Sequence, residues 1–247
     1  MDWVAAEDAV LERLLAEAAS ATGRVVAYGE EPDQVVELYG EGGSRCVVVV
    51  HGGYFRPSID RTHARPMARA LAAKGRTVAL VEYRRVPGDP AATVADLRAA
   101  EGWLRAQGLD PEVWVGHSAG GTLVLLRALA EDLPSVRVVA LAPLADLAGA
   151  VRDELGSGAV AEWVGKSERV GERALSAVDP VVLLAERDDA QEVRDRVRVL
   201  HGDRDATVPV AQSLAWSDNA VSLAGAHHFD LIDPASPHWR GVLDALD

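Results

Sequence analysis

Cysteine occurs once in these 247 residues, so no internal disulfide can form and a reducing compartment is expected. The one residue, Cys46, opens the run Cys46-Val47-Val48-Val49-Val50, a setting for buried packing rather than for reactivity. Long apolar runs are missing as well. With no stretch of about 18 apolar residues, the chain offers no candidate membrane-spanning helix. The opening Met1-Asp2-Trp3-Val4-Ala5-Ala6-Glu7-Asp8 lacks the basic flank and apolar core of a signal peptide. A soluble, cytoplasmic protein with no membrane partner is the expectation. Basic stripes interleaved with aromatics are also lacking, and a formal charge of −13 would repel phosphate backbones, so nucleic acid is not an expected partner. Repeats and low-complexity linkers are absent too. Together with 49% hydrophobic residues, that suits one large domain over 1–247.

What is present alternates. Residues 3–20 carry Val4, Val10, Leu11, Leu14, Leu15 and Ala18 at helical spacing, with Glu7, Asp8, Glu12, Arg13 and Glu17 between them, and read as an amphipathic helix lying on the domain. Val25–Tyr28 and Gln34–Tyr39 flank the turn-forming Glu31-Pro32-Asp33 and read as antiparallel edge strands. The all-apolar run Cys46–Val50 suits a strand covered on both faces. Helical patterns at about 61–74, 91–107 and 119–132 then lead into strands at Thr77–Val81, Glu112–Val115 and Val136–Leu141. Such alternation predicts an α/β fold, a mostly parallel central sheet flanked by helices on both faces, with ligands beyond the carboxyl ends of the strands. Residues 146–194 break the rhythm, with helical fragments around Ala159–Val164 and Gly171–Ala177. They read as a short lid or pocket wall over the sheet, their Val160, Trp163 and Val164 serving packing. Strand Arg196–Leu200, a helix at Val210–Trp216, strand Ala220–Leu223 and a helix at Trp239–Leu246 complete the series.

Polar or glycine-rich residues gather after four of the strands. Val113-Trp114-Val115 runs into Gly116-His117-Ser118-Ala119-Gly120, the Gly-x-Ser-x-Gly pattern of a serine on a strained strand-to-helix turn. Gly116 and Gly120 supply room around the serine, and Ala119 and Gly121 allow the helix to pack closely. His51-Gly52-Gly53-Tyr54-Phe55 follows the apolar strand; its backbone N–H groups, with that of Ala119, can hold an oxyanion formed when Ser118 attacks a carbonyl. His201-Gly202-Asp203-Arg204-Asp205 and Gly225-Ala226-His227-His228 follow later strands. A serine needs a histidine to accept its proton, and the histidine needs a carboxylate to hold its tautomer. The order Ser, Asp, His is that of the α/β-hydrolases. Two choices stay open at this point: Asp203 or Asp205, and His227 or His228.

From about residue 34 onward the chain resembles the α/β-hydrolase family. Its His51-Gly52-Gly53-Tyr54-Phe55 and His228-Phe229-Asp230-Leu231-Ile232 look like the kynurenine formamidase (arylformamidase) branch and related small esterases. The resemblance implies an α/β-hydrolase fold and places the oxyanion hole at Gly53 and Tyr54. The family's acid stands a short interval before Val-Pro, as Asp205 does before Val208-Pro209, and its histidine directly before Phe, as His228 does. Ser118, Asp205 and His228 are therefore the expected triad. Phe55 replaces the family's Trp.

Asp203 is then a loop brace, His227 a neighbour exposed to solvent or packed near the pocket, His51 a structural residue bonding local backbone, and Tyr83-Arg84-Arg85-Val86-Pro87 loop structure; Asp96 and Asp146 are left as surface or capping residues. The expected activity is hydrolysis of a small ester or amide through an acyl-enzyme, an N-formyl aryl amide first, with a general short-chain carboxylesterase or small peptidase as alternatives. No cofactor and no metal is implied. A ligand-binding protein on the same fold is the alternative without chemistry. A dinucleotide-binding oxidoreductase would need Gly-x-Gly-x-x-Gly where His51-Gly52-Gly53-Tyr54-Phe55-Arg56 stands, and a haloalkane dehalogenase a carboxylate at position 118.

Overall fold

The apolar run at 46–50 decides the architecture. In a strand, successive side chains point to opposite faces, so an all-apolar run needs cover on both. In the computed structural model, which describes residues 2–41, 43–131, 133–165 and 173–247, this run forms β3 (Arg45–Val50). Cys46, Val48 and Val50 enter one core, and Val47 and Val49 enter a second on the other side of the sheet. Flanking strands divide in the same way. Ala79 and Val81 of β4 (Thr77–Val81) and Trp114 of β5 (Asp110–His117) join the first core, while Val78, Leu80, Val113 and Val115 join the second.

Eight strands form one sheet in the order β1-β2-β4-β3-β5-β6-β7-β8. β1 (Arg24–Ala27) and β2 (Val35–Tyr39) are the antiparallel edge expected from the Pro32 turn. From β4 through β6 (Arg137–Leu141), β7 (Val197–Gly202) and β8 (Val221–Leu223) all pairings are parallel. The first core is covered by α3 (Pro90–Ala106) and α4 (Ala119–Ala128). The second is covered by α1 (Trp3–Ala18), α2 (Arg65–Ala72) and the closing helix Trp239–Leu246.

Several boundaries differ from the sequence expectation. β5 is longer at both ends because its neighbours extend the pairing, and its register shifts between Cys46 and Val47 of β3, where Pro111 cannot donate to the ladder. A tight 3-10 turn, Arg61–Ala64, precedes α2, and α4 stops at Ala128 rather than 132. Between β6 and β7 the chain makes the expected excursion through Leu147–Arg152, Leu155–Val164, Pro180–Ala185 and Ala190–Asp195. Left-handed backbone at Gly156, Ser157 and Gly158 breaks the second of these helices. Of the fragment expected at 171–177, residues 173–176 are helical, whereas 171 and 172 lie outside the described residues. Trp163 and Val164 pack in the core as expected. Among the described residues no helix is long and apolar enough to cross a membrane.

Candidate active site

β5 ends at His117, and the next residue takes a backbone conformation L-residues avoid: Ser118 has φ 55° and ψ −121°. Strain of this size persists only where the surroundings impose it. Here the Ser118 N–H donates to Leu141 O at 2.8 Å, pinning the turn to β6. A Cβ on Gly116 would overlap the Gly120 carbonyl, and one on Gly120 the carbonyls of Val50 and His51. The two flanking glycines are thus required for the turn to sit against the sheet.

After β3 the backbone again enters the left-handed region, at Gly53 (φ 128°), Tyr54 (φ 55°) and Phe55 (φ 53°). Gly52 is drawn against the serine turn; a Cβ there would stand 2.9 Å from His117 O and 3.0 Å from Ser118 Cβ. Among the described residues no acceptor is found for the N–H groups of Gly53, Tyr54 or Ala119. His51 secures this loop from behind. Its Nδ1 donates to Gly52 O at 2.6 Å, its Nε2 meets Glu82 Oε1 at 2.9 Å, and its ring stacks on Tyr83, whose hydroxyl donates to His51 O at 2.7 Å. Burial alone would raise the Glu82 carboxyl, but His51 and Arg85 outweigh it and hold it well below the usual carboxylate range. Tyr83 and Arg85 therefore act within the loop's structure, as expected.

The two members of each candidate pair are placed differently. His228 Nδ1 donates to Asp205 Oδ2 at 2.7 Å. The same oxygen lies 3.2 Å from His201 Nε2, while Asp205 Oδ1 accepts the N–H groups of Thr207 (2.9 Å) and Val208 (2.6 Å). Burial works to raise the Asp205 carboxyl, but His228 and His201 overcome it and keep it ionised far below its ordinary range. Asp203 is a brace: its Oδ1 accepts the Gly225 N–H at 2.7 Å, tying the acid loop to the histidine loop. His227 sits against its own turn: its ring Nε2 lies 3.5 Å from Asp230 Oδ2, and its backbone N–H donates to the same oxygen at 2.9 Å.

Ser118 and His228 line one cavity of about 50 Å³ with Gly52, Gly53, Tyr54 and His117. A second, of about 10 Å³, lies between Ser118, Tyr54, Phe55, Leu155 and Val160. Val160 thus faces the serine as well as the core, and Phe55 stacks on Trp163 at 4.1 Å as an aromatic wall. Among the described residues no hydrogen bond joins Ser118 to His228, a contact that commonly tightens only when substrate is in place. Larger cavities lie at the β8 edge and beside Gly88–Pro90, away from the serine. Among the described residues no three His, Cys, Asp or Glu side chains converge to hold a metal.

Some expectations need correcting, and some neighbours of the site escaped the sequence reading. Asp96 is not a surface residue: 1% exposed, it takes a bidentate contact from Arg84 and a hydrogen bond from Gln34 at 2.6 Å. Asp146 does cap a helix, accepting the Gly149 N–H. Glu7, assigned to the polar face of α1, is buried and hydrogen-bonded to the acid and histidine loops. Its signal was its place on one stripe with Leu11 and Leu14, an acid where an apolar residue belongs. His63 and His117 are buried beside Ser118 and kept uncharged. Burial, then the neighbouring His51, lowers His63 to about 3; burial, with His228 and His63, carries His117 well below its ordinary value.

The sheet order, with its serine turn after the fifth strand, defines an α/β-hydrolase fold. The chain matches the BD-FAE family, an α/β-hydrolase esterase family, over residues 36–219, and belongs to it. Carboxylesterase/phospholipase LipF of Mycobacterium tuberculosis is 34% identical over 114 residues, 44% of this chain and 31% of that protein. Esterase LipU of the same organism is 32% identical over 148 residues, 55% of this chain and 49% of that protein. The matched region thus spans less than half the length of either relative. Esterase B from Lactobacillus rhamnosis superposes with a TM-score of 0.68 at 19% identity, covering 98% of this chain and 94% of that one. Carboxyl esterase 2 from Tuber melanosporum does so with a TM-score of 0.65 at 17% identity, covering 91% and 82%. At these identities the superpositions speak for the fold.

Proposed function

We propose that the protein is a serine esterase for small carboxylic esters. The observation that carries this is the Asp205–His228 hydrogen bond ending at a cavity that also holds the strained Ser118. In this reading Ser118 Oγ attacks the ester carbonyl as its proton passes to His228 Nε2, and Asp205 steadies the imidazolium. The oxyanion lies against the N–H groups of Gly53, Tyr54 and Ala119. Collapse breaks the carbon–oxygen bond to the alcohol, which leaves with the proton from His228. Water, deprotonated by the same histidine, then releases the carboxylic acid and restores Ser118.

The named relatives are esterases, which puts esters ahead of formamides. The space beside Ser118 favours short acyl groups, and a formyl group is the smallest of these. The N-formyl aryl amide reading, supported also by the His51–Phe55 loop, is therefore kept second. The chemistry follows the same steps, with the amine of the formamide leaving in place of the ester's alcohol.

Turnover of p-nitrophenyl acetate and of N-formylkynurenine by wild type and Ser118→Ala tests both readings together. Faster ester turnover, abolished in Ser118→Ala, is the expected result. Preference for the formamide would exchange the two readings. Turnover that survives Ser118→Ala would remove the serine from the chemistry altogether.

A further inference from the structure

We propose that Glu7 is a positioning residue for the Ser118, Asp205 and His228 set: from α1, its carboxylate holds the acid loop and the histidine loop in register. The inference rests on the serine hydrolase reading of that set. Glu7 Oε1 accepts the N–H of Ala206 at 2.7 Å and the N–H of His228 at 3.1 Å, and Oε2 accepts the Thr207 hydroxyl at 2.6 Å. One carboxylate thus grips the residue after the acid, the threonine beyond it, and the histidine itself. Thr207 also lines the small cavity beside Ser118 together with Tyr54 and Phe55, so the clamp adjoins the loop that follows β3.

Glu7 is 3% exposed. Among the described residues it has no cationic partner, only these three donors. Burying a carboxylate without a cation is costly, and anchoring a helix does not require it. Leu14 and Ala18, further along the same helix, are buried, and Arg13 pairs with Asp233, so α1 is held to the protein without Glu7. What the carboxylate adds is direction. It supplies two oxygens to donors on two separate loops, and the distance between those loops sets where the His228 ring stands relative to Ser118. Misplacing a catalytic group by about 1 Å can lower the rate by about a hundredfold, so such a clamp bears on turnover rather than on substrate affinity.

The test begins with diisopropyl fluorophosphate, which phosphorylates an activated serine. Labelling of wild type and not of Ser118→Ala establishes the centre; no labelling would defeat the serine hydrolase reading, whatever Glu7 does. With the centre established, Glu7→Ala is expected to lower both the phosphorylation rate and kcat for p-nitrophenyl acetate by about 30-fold, with KM within about twofold. Glu7→Gln keeps an oxygen for the two N–H groups and an N–H for Thr207, and is expected to hold kcat within about threefold. The downfield proton resonance of the Asp205–His228 hydrogen bond reads the ring position without substrate; it should shift or broaden in Glu7→Ala and persist in Glu7→Gln. If Glu7→Ala does not fold, Thr207→Val removes one of the three donors and should lower kcat by about threefold. Wild-type kcat and resonance in a folded Glu7→Ala protein with a lowered Tm, or unchanged kcat in Thr207→Val, would reduce Glu7 to an anchor of α1 and overturn the inference.

Discussion

Both oxygens of Asp205 are committed, one to two backbone N–H groups and the other to His228 and His201. An amide in its place cannot satisfy this set, since its NH2 must face either the backbone donors or the two imidazoles. Asp205→Asn is therefore expected to lower kcat by about ten-thousandfold, the scale at which a triad loses its histidine tautomer. Asp203→Asn keeps an oxygen for the Gly225 N–H and should stay within about threefold of wild type. Steady-state ester hydrolysis separates them, and the reverse ranking would move the acid to Asp203. The contact of Asp205 with His228 was partly legible beforehand, through the family resemblance that sets an acid shortly before Val208-Pro209. The contacts of Glu7 and Asp96 were not, since each depends on a partner from a distant part of the chain: Ala206 and His228 for one, Gln34 and Arg84 for the other.

At the scale of elements, the serine turn depends on how closely α4 approaches β3. Gly120 lies in the first turn of α4, where alanine would ordinarily favour the helix by about 1 kcal/mol. The opposing effect is larger. A Cβ at this position collides with the carbonyls of Val50 and His51, which are backbone atoms of β3 and its loop and cannot swing aside. Gly120→Ala is expected to destabilise the fold by about 1–3 kcal/mol and to lower kcat further than the loss of folded protein explains. Urea unfolding beside active-site labelling checks this; a variant as stable as wild type would mean that α4 moves freely. The same closeness made the turn legible, as only glycines fit it. Strand centres were legible for a related reason: all-apolar runs at 46–50, 78–81 and 113–115 must lie between two cores. Their ends were not, because pairing with neighbouring strands carries β5 out to Asp110 and His117.

Over the whole molecule, two opposing effects act as pH falls from neutrality. The formal charge of −13 shrinks, which relieves self-repulsion and favours the folded state. Buried histidines act the other way. His63 sits at about 3 in the folded protein, against an ordinary value near 6.5, facing His51, Asp60 and Glu82. Below pH 6.5 the unfolded chain takes up this proton and the folded one does not, so the stability His63 contributes is present above 6.5 and is lost progressively toward 3. Asp205 and Glu82, depressed below the ordinary carboxylate range, add their own loss only under about pH 4.5, where unfolded carboxylates begin to protonate. The windows differ, and so do the means of separating them. Relief of net charge is common to wild type and a single-site variant, so the difference in unfolding free energy between wild type and His63→Asn isolates the histidine. That difference should fall as pH drops from 6.5, with a limiting slope of about 1.4 kcal/mol per pH unit for one proton. Urea unfolding at intervals between pH 7.5 and 4.5 measures it. A difference constant across that range would mean that His63 titrates alike in both states and that the pocket beside Ser118 does not hold it neutral.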